Sequence, residues 1–575
     1  MDDLDIAAPH VWGEGALFGF SGIDGGTDSA SLFVATFGAE PLSFLFHTPT
    51  RRIFSIDTPQ LSITCALSDI VIARTGNADV TLAFTAWHTL IGTMPAGTTI
   101  SLVLENGDNA SVDGEFVISA DSAHNDVLML AIAGGRCALS YGVSVDEAKN
   151  RAVQGLADDM GKTIAARASY YMKLPPLLKR DALFVKCASV MKVNALSPEG
   201  MFPHRWSTPD RVPHKDMWLW DSVFHSFAMN HIDGALAWDY LRSVLAMQAN
   251  DGFIPHQMRP DGWRSKITQP PILAWGVWEN YQRTKDKSAL SFALPKLEAY
   301  INWDIAHRNK NKSGLLVWDI EGDPKCRSGE SGLDNSPRFD EAVDLDAVDF
   351  SVFAVNDMRM IARIAKELGD HARADTWNKK ADAMETLVHS LLWDEKSGFY
   401  YDRHANGSLS PVKAVTGFLP LMLTNVPKER IDRLIIHLYD PNEFASAFPV
   451  PSVSLSEPTW GTDMWRGATW INTNYLIALG LALHGRTDEA SSLRKTTVAF
   501  VRNYYERYGV TFEFYDAKDG VPPMRCDRKG PTTSVYDIRK KMDSIRDYHW
   551  TAALTFCMLA AVTGIPASPF RTDDR

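Results

Sequence analysis

From Leu17 to about Ser144 the chain alternates short apolar or β-branched runs with turn residues: SLFVATF, LSFLFH, VTLAFTAW, ISLVLENG and EFVISAD are separated by Gly, Asp and Asn. A period of two sends one face of each run to a core and the other to solvent. The pattern therefore predicts an antiparallel β-sandwich domain over residues 1–144. Segment 145–176 turns helical and charged and closes on Pro175-Pro176, where a helix cannot continue. It is expected to be a helical linker.

Beyond Pro176 apolar positions recur three and four apart, the period of a helix with one buried face. Twelve helices are expected, over 181–196, 217–232, 235–248, 270–284, 288–308, 341–368, 372–393, 411–424, 428–440, 467–485, 488–508 and 548–563. Links leaving the even-numbered helices are about two or three residues, the range usual for paired helices; those leaving the odd-numbered ones are long. Hairpins joined in this way close into a ring of six with every long loop on one rim, over residues 177–575. Loops on a rigid scaffold carry function, so the active site is expected on that rim.

A chain of 575 residues with 45% apolar content can bury two cores. A net charge of -12 and a pI near 5.7 argue against a nucleic-acid or anionic-membrane partner, since either would call for a basic face. A neutral or small polar substrate fits better. The amino terminus, MDDLDIAAPHVWGEG, is acidic where a signal peptide is basic and precedes no apolar span, which gives a cytoplasmic expectation. The six cysteines, at 65, 137, 187, 326, 526 and 557, show no metal or disulfide spacing and are read as free thiols. Asp344, Asp346 and Asp349 have calcium-like spacing without the glycine turn and fit a helix start better. No pair among His204, His214, His225 and His256 has zinc spacing. No metal and no cofactor are expected, and oligomeric state is not readable.

The long loops concentrate the unusual chemistry. HRWSTPDRVPHKDMWLWD, PHQMRPDGWRSKITQPP, WDIEGDPKCRSGESGLDNSPRFD, WDEKSGFYYDRH, SEPTWGTDMWRGATW and TFEFYDAKDG set Trp and Tyr beside Asp, Glu, Asn, Gln and Arg. Such a mixture suits a sugar, whose apolar face stacks on an aromatic ring while its hydroxyls take directed hydrogen bonds. Glycoside hydrolysis normally needs two carboxyl groups flanking the scissile bond. Asp334, at a turn between Gly332 and Asn335-Ser336-Pro337, is the candidate acid. The crowd of Glu330, Asp340, Asp344, Asp346 and Asp349 is expected to raise a carboxyl pKa by repulsion. Glu513, in the last long loop, is the candidate base. The bland alternatives are a helix-capping or Asx-turn aspartate and a water-facing glutamate on a short FEFY strand.

With these residues in view, the stretch from about Met201 to Trp550 resembles glycoside hydrolase family 63. This family of trehalase-like (α/α)6 toroids includes processing α-glucosidases and bacterial glucosylglycerate and mannosylglycerate hydrolases. The matching motifs are PHKDMWLWDS at 213–222, ESGLDNSPRFD at 330–340, VDLDA at 343–347 and PTWGTDMWRGATWINTNY at 458–475, in the family's order. The resemblance implies a multidomain protein, a β-sandwich followed by an all-α (α/α)6 toroid, acting as an inverting exo-α-glycosidase, foremost an α-glucosidase. It implies Asp334 as general acid and Glu513 as general base, and sugar-binding roles for Trp218, Trp220, Asp221, Gln269, Trp465, Arg466, Trp470 and Asn474. Trp470 and Asn474 also fit the interior of the tenth helix.

One departure stands out. After Glu513 the family continues with a short turn, whereas this chain carries a basic insert over 521–547, with Arg525, Arg528, Lys529, Arg539, Lys540, Lys541 and Arg546. A lid over an anionic aglycone, drawing on Arg525 and Arg528 with His204 and Trp206, is one reading; a solvated loop is the other. Two further functions compete with hydrolysis: an inverting glycoside phosphorylase, which lacks the second carboxylate, and a non-catalytic carbohydrate-binding relative.

Overall fold

The computed structural model describes residues 11–28, 33–76, 78–105, 110–212, 214–322, 327–530 and 543–562. The chain divides into two compact units, residues 1–199 with 502–511, and residues 200–501 with 512–575.

The first unit is built from strands β1 (Leu17–Gly19), β2 (Phe33–Ala39), β3 (Leu42–Phe46), β4 (Arg52–Asp57), β5 (Leu61–Ala66), β6 (Ile70–Thr75), β7 (Ala78–Ala86), β8 (Thr89–Thr93), β9 (Thr99–Leu104), β10 (Ser111–Asp113), β11 (Phe116–Asp121), β12 (Asp126–Ala133) and β13 (Arg136–Gly142). They form a five-stranded sheet, β1-β2-β3-β4-β9, and an eight-stranded one, β10-β11-β12-β13-β8-β7-β6-β5. Phe44 stands opposite Phe54 across the β3 and β4 pair. Phe44, Phe54 and Leu102 of one sheet meet Leu82, Leu128 and Leu139 of the other in one core, as the period-two pattern requires.

On β12 the alternate residues Val127, Met129 and Ala131 face away from that core. They are covered by Ala148 and Ala152 of helix α1 (Val145–Ala157). Gly155 of α1 has no side chain because a Cβ there would lie 2.9 Å from Ala138 Cβ and Thr89 Cγ2. Segment 145–176 therefore forms α1 and α2 (Met160–Met172), both packed on the eight-stranded sheet. Helix α3 (Ala182–Val193) packs on β1 in the same unit. Its buried Lys192 pairs with Asp69 and, at 3.0 Å, with Asp24. The compact units accordingly divide at residues 199 and 200, past α3, rather than at 176.

The second unit contains α4 (Leu219–Met229), α5 (Gly234–Ala246), α6 (Leu273–Thr284), α7 (Lys287–Arg308), α8 (Val348–Glu367), α9 (His371–Leu391), a 3-10 helix (Val415–Met422), α10 (Lys428–Leu438), α11 (Ile471–Leu483), the start of α12 (Thr487–Tyr508), and α13 (His549–Val562). Inner helices touch in a closed cycle: α4 on α6, α6 on α8, α8 on the 3-10 helix, that helix on α11, α11 on α13, and α13 back on α4. An inner helix has neighbours on every side: each residue of α4, and all of α11 from Ile471 to Leu481, is buried, polar ones such as Ser222 and Asn472 included.

The fold is a two-sheet β domain followed by an (α/α)6 toroid. Short links at 230–233, 285–286, 368–370, 423–427 and 484–486 alternate with long ones at 247–272, 309–347, 392–414, 439–470 and 509–548. The eighth expected helix departs from α geometry. Pro420 removes a hydrogen bond donor within it, and Gly417 lies where a Cβ would sit 2.2 Å from the Phe399 ring. Five cysteines are free thiols; Cys326 lies outside the described residues. No described helix is long and apolar enough to cross a membrane.

Candidate active site

The long loops of the second unit enclose a cavity of about 180 Å³. Asp334 and Glu513 both line it, together with Trp218, Trp220, Asp221, Gln269, Trp465, Trp470, Arg528, Lys529, Tyr548 and Trp550.

The loop bearing Asp334 is fixed from below. Glu330 is fully buried, receives Arg308 Nε and Nη2 at 2.9 and 2.7 Å, and accepts from the backbone of Thr268 and Asp319. Gly332 then turns with φ +73°, and a Cβ there would fall 2.3 Å from the Trp220 ring, so only glycine fits both demands. The following Pro337–Phe339 turn is capped by the Ser336 hydroxyl and not by Asp334, so the capping role falls to its neighbour. Asn335 locks the turn sideways, accepting from Trp465 N at 3.0 Å.

The acidic crowd expected to repel Asp334 is neutralised instead. Glu330 pairs with Arg308, Asp340 with Arg466, Asp346 with Arg403 and Asp349 with Arg338. Those arginines come from 22 to 126 residues away along the chain, or from 11 in the case of Arg338, and the sequence run alone conceals them. Asp344 is exposed.

Glu513 is 2% exposed, which removes the water-facing reading of the FEFY run. Arg528 grips both its oxygens, Nε to Oε2 at 2.8 Å and Nη2 to Oε1 at 3.2 Å. A carboxylate has about four lone-pair sites, so this grip leaves room for a water. The adjacent Lys529 places Nζ 2.7 Å from Asp334 Oδ2. Two consecutive residues of the basic insert therefore hold the two candidate catalytic carboxylates. Arg539, Lys540 and Lys541 lie outside the described residues.

Aromatic rings form one wall. Trp465 and Trp470 stack with centroids 3.8 Å apart, and Trp550 stands edge-on to Trp220 and Trp470 at 5.4 and 5.6 Å. Gln269 is held by Trp220 N. Asp221 is 2% exposed, and its Oδ1 has no hydrogen-bond partner among the described residues. Burial first, and then the charges of Asp210, Asp334 and Glu513, push its carboxyl well above the ordinary range. A buried carboxyl with an unbonded oxygen lining such a cavity is suited to a sugar hydroxyl. His256 also lines the cavity; burial lowers it to about 4, so its ring is neutral there. His214 lines it too, with its ring bonded to the buried Asp210.

Other expected residues fall elsewhere. Asn474 is interior: its amide donates to Pro449 O and Thr497 Oγ1 and accepts from Val450 N. Arg466 sits behind the turn that carries Asp334, bonded to Asn335 O and Asp340. Trp206 is fully buried against Phe202, and neither His204 nor the exposed Arg525 lines the cavity. Of the lid residues expected from sequence only Arg528 reaches the site. His225 stacks on His549 at 3.5 Å in the core. Lys529 and Tyr548 are lining residues that sequence reasoning did not single out; the basic insert beside Glu513 was the signal for the first.

Residues 213–551 match the family model described as the mannosylglycerate hydrolase MGH1-like glycoside hydrolase domain. A Borreliella burgdorferi protein described as uncharacterized is 31% identical over 47% of this chain and 54% of its own length, so this chain spans about half of that relative. The mannosylglycerate hydrolase of Thermus thermophilus is 27% identical over 53% of this chain and 89% of its own. A family 63 mannosylglycerate hydrolase of Thermus thermophilus, solved with Tris and D-glycerate, aligns with TM-score 0.53 at 23% identity, over 65% of this chain and 99% of that one. This chain belongs to glycoside hydrolase family 63, with an MGH1-like glycoside hydrolase domain over residues 213–551.

Proposed function

We propose that this glycoside hydrolase is an inverting exo-α-glycosidase that releases one hexose, glucose or mannose, from a small carboxylate-bearing aglycone of the glycerate kind. The observation that carries the reading is the joint presence of Asp334, Glu513, Arg528 and Lys529 around one cavity. A cavity of about 180 Å³ has room for little more than one sugar ring, which favours exo action. The Lys529 ammonium beside Asp334 favours an anionic leaving group, and the name of the Thermus relative agrees with that chemistry.

In this mechanism Asp334 gives its proton to the glycosidic oxygen as the bond to the anomeric carbon breaks. A water on the opposite ring face attacks that carbon and passes its proton to Glu513. Asp221 and Gln269 hold hydroxyls, and the Trp465, Trp470 and Trp550 wall excludes bulk water, strengthening each polar contact. The second carboxylate favours hydrolysis over phosphorolysis, since phosphate needs no base.

Steady-state rates on α-glucosylglycerate, α-mannosylglycerate, trehalose and isomaltose test this. One of the two glycerate glycosides is expected to exceed both neutral disaccharides in kcat/KM by up to about a hundredfold, the scale of losing one good charge-assisted contact. Added phosphate is expected to change neither rate nor product. Equal rates on neutral and anionic substrates would remove the carboxylate aglycone from the account.

A further inference from the structure

Arg528 and Lys529 differ in what they can do. Arg528 is 6% exposed and bonded to both oxygens of a carboxylate that is itself buried, so it stays. The Lys529 and Asp334 side chains are 29% and 23% exposed, on the solvent side of the same cavity. The Lys529 main chain is nevertheless fixed. Its N–H and that of Gly530 donate to the two oxygens of Asp463 at 2.8 and 2.9 Å, with φ of +61° at Lys529. Asp463 also accepts, through its carbonyl, from Asn335, the residue after the acid. The lysine is thus mounted rigidly on the acid's own turn, and its four-carbon stem is the part able to move.

The atom it touches matters. A general acid must carry a proton on a carboxyl oxygen, and the ammonium on Asp334 Oδ2 occupies one of the two places for it. We propose that Lys529 is a specificity-determining residue: it holds Asp334 in an ion pair at rest, and the carboxylate of a bound aglycone draws it off. Asp334 then takes a proton from solvent and becomes a competent acid, while Lys529 remains an ammonium with a new carboxylate partner. The balance is one proton: one carboxylate replaces another at the ammonium, and the freed one takes up a single proton from solvent. A neutral glycoside offers nothing to draw the lysine away, so it meets an acid still paired. Discrimination on this account appears in kcat, beyond any difference in binding. The proposal rests on the carboxylate-aglycone reading above.

The test is Lys529→Met, which keeps the stem and removes the charge, assayed with the preferred glycerate glycoside and with trehalose or isomaltose. The variant is expected to raise kcat for the neutral glycoside about tenfold and to raise KM for the anionic one by a similar factor, since each change removes one partly exposed charge contact. Lys529→Arg, which keeps the cation, is expected to retain discrimination in kcat. If the wild type favours the anionic glycoside but Lys529→Met leaves neutral kcat unchanged or lower, the release step is wrong while the function stands. A wild type with no preference for the anionic glycoside overturns both.

Discussion

Replacing Asp334 by Asn is expected to lower kcat on natural glycosides by about 10³-fold or more, near the upper range for loss of a positioned proton donor. KM is expected to change by less than about fivefold, because the amide keeps the shape of the turn and leaves the tryptophan wall and Asp221 untouched. The diagnostic comparison uses an α-glycosyl fluoride, whose leaving group needs no proton. Asp334→Asn should turn it over within about tenfold of the wild-type rate, whereas Glu513→Gln, which lacks the base, should be inactive on both substrates. An Asp334→Asn enzyme crippled equally on the fluoride would mean that Asp334 shapes the cavity instead of donating a proton.

The largest stability effect is expected at Arg338. Its side chain is 1% exposed and donates to Asp349 at 2.7 and 2.8 Å and to Asp402 at 2.7 and 2.9 Å. Those carboxylates are committed further: Asp349 accepts from Trp318 Nε1 and Asp402 from Val348 N. Arg338→Met leaves two buried carboxylates without their cation, a change worth about 3–5 kcal/mol where one partner of a buried pair is removed. The melting temperature of the helical unit should fall by roughly 5 °C on the usual relation between stability and Tm for a unit of this size. Activity should fall as well, since Arg338 lies in the turn that follows Asp334. Lys428→Ala, at an exposed pair with Asp432, serves as the control and should leave Tm unchanged. Equal effects of the two substitutions would show that the buried triad is not what holds this loop.

The parts of the fold legible in the sequence are those written in local periods. The helical segments and their alternation of short and long links follow from spacing, because buried positions recur at the helical period and each short link fits a hairpin. The packing of α1 on the outer sheet face is not legible, since the alternate residues of β12 that receive it read equally well as one apolar run. At the site, sequence places Asp334 and Glu513 on the same rim, but partners far along the chain decide the electrostatics. The acidic crowd around Asp334 looks repulsive until Arg308, Arg403 and Arg466 are brought to it. Asn474, amid a motif of sugar-binding type, ties Val450 and Thr497 together, a role set by tertiary contacts. Lys529 is one cation among seven in the insert, and its pairing with Asp334 and mounting on Asp463 emerge only in the fold.

In the proposed mechanism Asp334 and Glu513 act on opposite sides of the anomeric carbon in a single displacement. The direct measurement is proton NMR of the sugar released in the first minutes from the preferred α-glycoside, before mutarotation. The β anomer should accumulate first and then decay toward the equilibrium mixture. Initial release of the α anomer would require a double displacement and would contradict the assignment of Glu513 as a base acting through water.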